Sequence, residues 1–295
     1  MSQEVELKFI LAPERVADVS AFLGSLGAAT PQSLCLINRY FDTPDLKLQQ
    51  QKVALRIRQK NDKFLQTFKT KGESSGGLHR RLEWEWPIDN FALDQSLLES
   101  TGQFPEGLGV ASLSPVFETN FDRQAFDITV DGIAFEVALD VGEIIAADKR
   151  KPLCELELEL RQEATPDAVR ALFALAEKIA LKVPLFPSDI SKGERGYHLA
   201  GGYKLADLEA AKPKTLPAAF RCWVNAHDYF QMTGEERYSR LAATFKSALL
   251  ATIEADTTIP EPDKRSVAED LTHFAEDRSV ADKEGLAAIK LMRFL

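Results

Sequence analysis

Residues 155–160 read Glu155-Leu156-Glu157-Leu158-Glu159-Leu160. Side chains along an extended strand point alternately to its two faces, so this segment sets its carboxylates on one face and its leucines on the other. Carboxylates stacked on one face repel one another unless cations stand close by. Working outward, the same arrangement recurs: Glu4, Glu6 and Lys8 oppose Val5, Leu7 and Phe9, and Arg56 and Arg58 oppose Val53, Leu55 and Ile57. Arg81, Glu83 and Glu85 likewise oppose Leu82, Trp84 and Trp86, while Lys69 with Lys71, and Glu136 with Asp140, add further same-face pairs. An amphipathic sheet with its polar face in water is the ordinary use of such alternation. Acidic and basic strands together favour a different arrangement, a closed barrel whose charged face lines the lumen and whose apolar face packs outward against helices.

The remaining pattern fits an α+β chain. Strands are predicted near 2–10, 35–42, 52–60, 63–71, 80–87, 116–124, 126–131, 133–140 and 153–161, with Asp131-Gly132 as a hairpin turn. Helices are predicted near 13–25, opened by Pro13, and near 166–182, with Thr165 as N-cap and Pro166 in the first turn. Gly201-Gly202, Pro213 and Pro217 mark a linker at 201–216. Beyond it, helical spacing of Leu241, Phe245 and Leu249 and their neighbours predicts helices near 217–231, 234–254, 262–277 and 279–294. The chain thus divides into a barrel domain, 1–200, a linker, and a small all-α bundle, 217–295.

Composition narrows the function. A formal net charge of -9 argues against nucleic acid as a partner, so an anionic ligand must meet a local cluster of cations. No apolar run reaches the roughly 20 residues of a membrane helix, and Met1-Ser2-Gln3-Glu4 begins no secretory signal, so a cytoplasmic protein without membrane contact is expected. Cys35, Cys154 and Cys222 are too scattered for a disulfide framework or a zinc site and read as packing residues. His79, His198, His227 and His273 lack metal-ligand spacing, and Tyr40 and Phe41 read as packing at a strand end. A glycine-rich loop followed by Lys-Ser/Thr is missing, which excludes a P-loop NTPase.

Glu4-Val5-Glu6-Leu7-Lys8 resembles the Glu-x-Glu-x-Lys signature of the CYTH domain, the triphosphate tunnel metalloenzyme superfamily. The resemblance continues through Arg39-Tyr40-Phe41-Asp42-Thr43, Leu55-Arg56-Ile57-Arg58, Lys69, Arg81-Leu82-Glu83-Trp84-Glu85, Arg123, Leu139-Asp140-Val141-Gly142, Glu155 to Glu159, and Ser191-Lys192. It implies a closed antiparallel barrel of about eight strands around a tunnel. Within the superfamily the chain looks most like bacterial inorganic triphosphatases, in which the tunnel precedes a helical region related to the CHAD domain. Residues 217–295 are short for a complete CHAD domain and lack its His- and Arg-rich helices. They are expected to be a CHAD-like or truncated bundle with a structural role, or a surface for homodimerisation.

As the resemblance implies, Lys8, Arg39, Arg56, Arg58, Lys69, Arg81, Arg123 and Lys192 clamp the triphosphate. Glu4, Glu6, Glu155, Glu157 and Glu159 hold Mg2+ or Mn2+, two ions in all, because hard cations prefer carboxylate oxygen. Glu83, Glu85 and Asp140 place the attacking water or the metal's surroundings, and Lys8 completes the catalytic set. At three positions the residues allow another reading: Arg39 bracing the Tyr40-Phe41-Asp42 corner, Glu159 at the mouth or in solvent, and Arg123 pairing with Asp122 or Glu118. The expected reaction is hydrolysis of inorganic triphosphate to pyrophosphate and phosphate. Thiamine triphosphatase, nucleoside triphosphatase, class IV adenylyl cyclase and a non-catalytic polyphosphate-binding module are the alternatives.

Overall fold

The computed structural model describes residues 2–75, 77–272 and 283–295. Its strands are β1 (Ser2–Ile10), β2 (Gln32–Asp42), β3 (Ala54–Lys60), β4 (Lys63–Lys69), β5 (Glu73–Ser75), β6 (Leu78–Ile88), β7 (Ser114–Val130), β8 (Ile133–Ala146), β9 (Lys149–Leu160) and β10 (Phe186–Pro187). Its helices are α1 (Val16–Ser25), α2 (Lys47–Gln50), α3 (Gln95–Glu99), α4 (Pro166–Ala180), α5 (Lys192–Leu199), α6 (Leu216–Thr233), α7 (Glu236–Ala255), α8 (Glu261–Thr272) and α9 (Lys283–Met292). The order around the sheet is β1-β9-β8-β7-β2-β3-β4-β6, and β6 pairs again with β1, which closes eight antiparallel strands into a barrel. β5 and β10 pair with β6 and β1 outside that ring.

Local chemistry explains the joints. Asp131 and Gly132 both take positive φ, 52° and 79°, which a tight hairpin between β7 and β8 requires. Thr165 caps α4 by accepting from the Ala168 N–H, Pro166 occupies its first turn, and Gly234 ends α6 in the left-handed conformation at φ 72°. α5 opens with a capping box in which Ser191 and Glu194 satisfy each other's backbone N–H groups.

The leucine face turns outward, as its alternation predicts. Leu7, Leu156 and Leu158 are fully buried against Leu23 of α1 and Leu172 and Ile179 of α4, each worth about 1.5–3 kcal/mol of transfer free energy. The same cluster runs on through Phe220 and Trp223 of α6 to Leu286 and Ile289 of α9. Barrel and C-terminal helices therefore share one core, although residues 203–207 between them carry no regular structure. On the opposite flank, Leu55, Ile57 and Phe68 pack under Leu48 and Leu98 in a second cluster.

Several expectations need correction. The two strands read at 116–124 and 126–131 are one, since β8 pairs β7 without a break from Glu118 to Val130. β4 ends at Lys69, so Lys71 is an exposed loop residue rather than a lumen partner of Lys69. Cys35 is exposed on β2 and does not pack, whereas Cys154 is buried. The short elements α2, α3, α5, β5 and β10 were not foreseen. The predicted helix ends at 273–277 and 279–282, and His273, lie outside the described residues.

Candidate active site

The charged faces meet around a cavity of about 480 Å³ inside the barrel. β1 contributes Glu4, Glu6 and Lys8, β3 contributes Arg56 and Arg58, and β6 contributes Arg81, Glu83 and Glu85. Lys69 of β4, Arg123 of β7, Glu136 of β8, and Glu157 and Glu159 of β9 complete the wall. α5 closes it from one side and brings Lys192 to the lining. The helix can sit so close because Gly196 lies against the Phe117 ring, where any Cβ would collide with it.

Part of this lining is already neutralised. Glu4 meets Lys69 at 3.2 Å and Arg81 at 2.7 Å, and Lys69 reaches Glu83 at 2.8 Å. Burial pushes the Glu4 carboxyl up, but Lys69 and Arg81 outweigh it and hold the group well below the usual carboxylate range. Glu157 behaves alike: burial raises it, while Lys192 and Arg123, both at 2.7 Å, bring it well down. Arg123 also grips Asp140 through two hydrogen bonds of 2.7 Å.

Other groups are less fully balanced. Lys8 is 2% exposed, and among the described residues its ammonium has no carboxylate within 4.0 Å; burial lowers its pKa. Arg58 donates to Asn38 at 2.7 Å and forms no ion pair among the described residues; burial and then the neighbouring Arg56 and Arg123 push it down to about 10. Arg56 meets Glu83 only at 3.7 Å. The carboxylates gather on β1, β9 and β8, where Glu6 pairs in register with Glu159, and Glu159 in turn with Glu136; Arg81 stands 3.3 Å from Glu6 and Arg161 3.0 Å from Glu159. Burial, with Glu157 and Glu4 close by, pushes Glu6 up to about 7. Glu159 is also pushed up to about 7, by burial first and by Glu4, Glu136 and Glu6. The lining thus crowds carboxylates on one side and cations on the other, with Lys8 and Arg58 lacking an ion-pair partner among the described residues.

The match to the CYTH domain family spans residues 2–197. The chain belongs to the CYTH family. An inorganic triphosphatase of Haemophilus influenzae is 31% identical over 251 residues, 84% of this chain and 66% of that protein. The chain thus spans just under two thirds of that relative's length. Among solved structures, a Hippeastrum protein assigned as an adenylyl cyclase and described with a dominant triphosphatase activity is similar at 22% identity. It covers 68% of this chain and 97% of its own, with a TM-score of 0.49. A Vibrio parahaemolyticus protein assigned as an adenylate cyclase is 18% identical, covering 65% and 95%, with a TM-score of 0.43.

Of the residues expected in the CYTH tunnel, Lys8, Arg56, Arg58, Lys69, Arg81, Arg123, Lys192, Glu4, Glu6, Glu157, Glu159, Glu83 and Glu85 all border the cavity. Arg39 does not. It lies on the outer face of β2, paired with Glu118 at 2.9 Å and stacked on Phe91 at 4.5 Å, because Asn38 and Tyr40 take the inward positions. Asp140 and Glu155 share the inward face but are fully buried behind the lining. Asp140 is held by Arg123 and by Lys192 at 2.9 Å, and Glu155 by Lys192 at 2.6 Å and Arg195 at 3.2 Å. Asp140 therefore braces cations behind the lining, and Glu155 sits there too, ion-paired but with neither carboxylate oxygen accepting a hydrogen bond among the described residues. Arg123 pairs with neither Asp122 nor Glu118.

Among the described residues, no three carboxylate, imidazole or thiolate groups surround one point as they stand. The donor chemistry nevertheless fits a hard divalent ion at Glu6 and Glu159, adjacent carboxylates that, among the described residues, each meet one arginine, Arg81 at 3.3 Å and Arg161 at 3.0 Å. Four residues at or behind the wall escaped the sequence reading of the site. Tyr40 stacks on Phe117 at 4.5 Å yet turns its hydroxyl to Arg56, which brings the phenol below its ordinary pKa despite burial. Glu136 and Arg161, which pair with each other, also line the tunnel. Arg195 supports Glu155 from α5. The alternation on β8 already puts Glu136 on the charged face, though without a role in the site, and that on β2 could have shown Tyr40; Arg161 follows β9, and Arg195 depends on a helix that periodicity does not disclose.

Proposed function

We propose that this chain hydrolyses inorganic triphosphate to pyrophosphate and phosphate within the tunnel, with Mg2+ or Mn2+ bound beside the substrate. The observation that carries this reading is the meeting, in one cavity, of Lys8, Arg56 and Arg58, for which the described residues supply at most the Glu83 carboxylate at 3.7 Å from Arg56, with the adjacent carboxylates Glu6 and Glu159, each met by a single arginine. The name of the Haemophilus influenzae relative points the same way.

Arg56 and Arg58 present planar forks to phosphate oxygens, and Lys8 adds a point charge from the neighbouring wall. Lys69, Arg81, Arg123 and Lys192, held in place by carboxylates before substrate arrives, supply a fixed positive field along the path. Glu6 and Glu159, with Glu4 and Glu157 as neighbours, would hold the divalent ions. A bound ion supplies Lewis-acid charge for the phosphate oxygens and makes a nearby water more acidic. Glu83 and Glu85, projecting from β6 into the cavity, would accept a hydrogen bond from the attacking water and orient it toward the scissile phosphoanhydride bond. Closed barrel walls exclude bulk solvent and so strengthen each of these interactions.

The test is phosphate release from inorganic triphosphate, thiamine triphosphate and ATP in parallel, with Mg2+, with Mn2+ and with chelator. Metal-dependent preference for inorganic triphosphate supports the proposal. Preference for an organic triphosphate changes the substrate, and salt-sensitive binding without turnover makes the tunnel a polyanion-binding module.

A further inference from the structure

A set of buried groups links the C-terminal helices to the tunnel wall and has no role in the chemistry above. Asp228 of α6 is 1% exposed and accepts from the Ser188 hydroxyl at 2.6 Å and from the Asp189 N–H at 2.9 Å. The Ser188 oxygen also accepts from Arg195 Nη2 at 3.0 Å, and that nitrogen stands 3.8 Å from Asp228 itself. The other arm of the guanidinium, Nη1, lies 3.2 Å from Glu155. Glu155 is fully buried and 2.6 Å from the Lys192 ammonium, which lines the tunnel. Contact is therefore continuous from a helix outside the barrel to a cation inside it.

A serine hydroxyl has one proton to donate, and donating it to Asp228 leaves the oxygen's lone pairs free for Arg195. Without the carboxylate that orientation is lost, and among the described residues Glu155 is the carboxylate left beside the guanidinium. We propose that Asp228 is a positioning residue of the tunnel: through Ser188 and Arg195 it fixes Glu155, and with it the Lys192 ammonium. The role assigned to Lys192 rests on the triphosphate reading; the chain of contacts does not.

The experiment uses the full chain and the variants Asp228→Asn, Ser188→Ala and the two combined. Asp270→Asn is the control, because Asp270 is a buried carboxylate paired with Lys290 at 2.6 Å between α8 and α9. Two quantities are read: the Arg195 Nε–Hε resonance, assigned with Arg195→Lys, and the calorimetric Kd for inorganic tripolyphosphate in chelator. Asp228→Asn and Ser188→Ala are each expected to move the Arg195 resonance and weaken tripolyphosphate about tenfold, and the combined variant to bind no more weakly than the worse single one. The control is expected to lower Tm and leave both readings unchanged. An unmoved Arg195 resonance, or losses that add in the combined variant, overturns the proposal. Should the unmodified chain neither bind tripolyphosphate in chelator nor release phosphate from it with Mg2+ or Mn2+, the triphosphate reading falls; in either case of failed binding the Arg195 resonance alone decides the positioning role.

Discussion

Glu6 and Lys8 stand two residues apart on one strand, and both are deprived of a full partner. Glu6→Gln is therefore expected to reduce turnover at least about 100-fold while the fold persists, which steady-state kinetics and circular dichroism check together. Full activity in that variant would remove the metal role. The same carboxyl sets a pH dependence. Folded, Glu6 titrates near 7 against an ordinary 4.5, so between those values the folded state binds more protons than the unfolded one. Its contribution to stability is present below 4.5 and lost as pH rises to about 7, on the order of 3 kcal/mol at full amplitude. In chelator, wild type is expected to lose more stability across that window than Glu6→Gln, and denaturant melts at both ends measure the difference. Arg56→Ala should act on binding instead, raising KM about 10- to 100-fold, the worth of a charge-assisted hydrogen bond, with a smaller change in kcat. At this scale alternation made most of the lumen legible. Arg39, expected there from the resemblance and not from alternation, lies on the outer face because its neighbour Tyr40 faces the cavity.

α5 shows why an element can escape while its residues are noticed. Lys192 is expected in the site from the resemblance, yet a helix of eight residues containing Gly193 and Gly196 offers little propensity or periodicity to read. Its existence depends on tertiary contact, since Gly196 permits the approach to Phe117 that seats the helix against the barrel. That missing helix is also why Asp140 and Glu155 were misplaced: the strand face was right, but the cations that cover it come from α5 and β7. Gly196→Ala must push the helix off the Phe117 ring. The expected cost is about 1–3 kcal/mol of stability, with a weaker Kd for tripolyphosphate because Lys192 moves with the backbone. Gly196→Ala with wild-type Tm and Kd would show that the ring yields instead and that the helix seat is not tight. The long strands β7 and β8 illustrate the reverse case, where pairing from Glu118 to Val130 carries regular structure through a point at which the local pattern reads as a break.

Across the whole molecule, a net charge of -9 surrounds a lumen in which cations crowd, so affinity for an anion depends on the interior wall and on exclusion of solvent. That wall is held from outside by a core which does not stop at the barrel. Phe186 of β10 packs edge-on against Trp223 of α6 with ring centroids 5.1 Å apart, and Gly285 lets α9 press against the backbone at Leu185. Trp223 is fully buried within the cluster that also holds Leu7 and Leu158 of the tunnel strands. Sequence spacing separated a strand-rich part from a helical part, but the faces that join them are apolar on both sides and so carried no mark of their partner. Trp223→Ala should therefore destabilise the barrel along with the helices, by about 3–5 kcal/mol in a single unfolding transition followed by near- and far-ultraviolet circular dichroism. A fragment ending at residue 204 exposes the faces of α4 and β10 that α6 and α9 cover, and it is expected to aggregate or melt without cooperativity. A soluble fragment with a sharp transition and an intact Kd for tripolyphosphate would instead make the helices a separable attachment, and Asp228 would then have no hold on the tunnel.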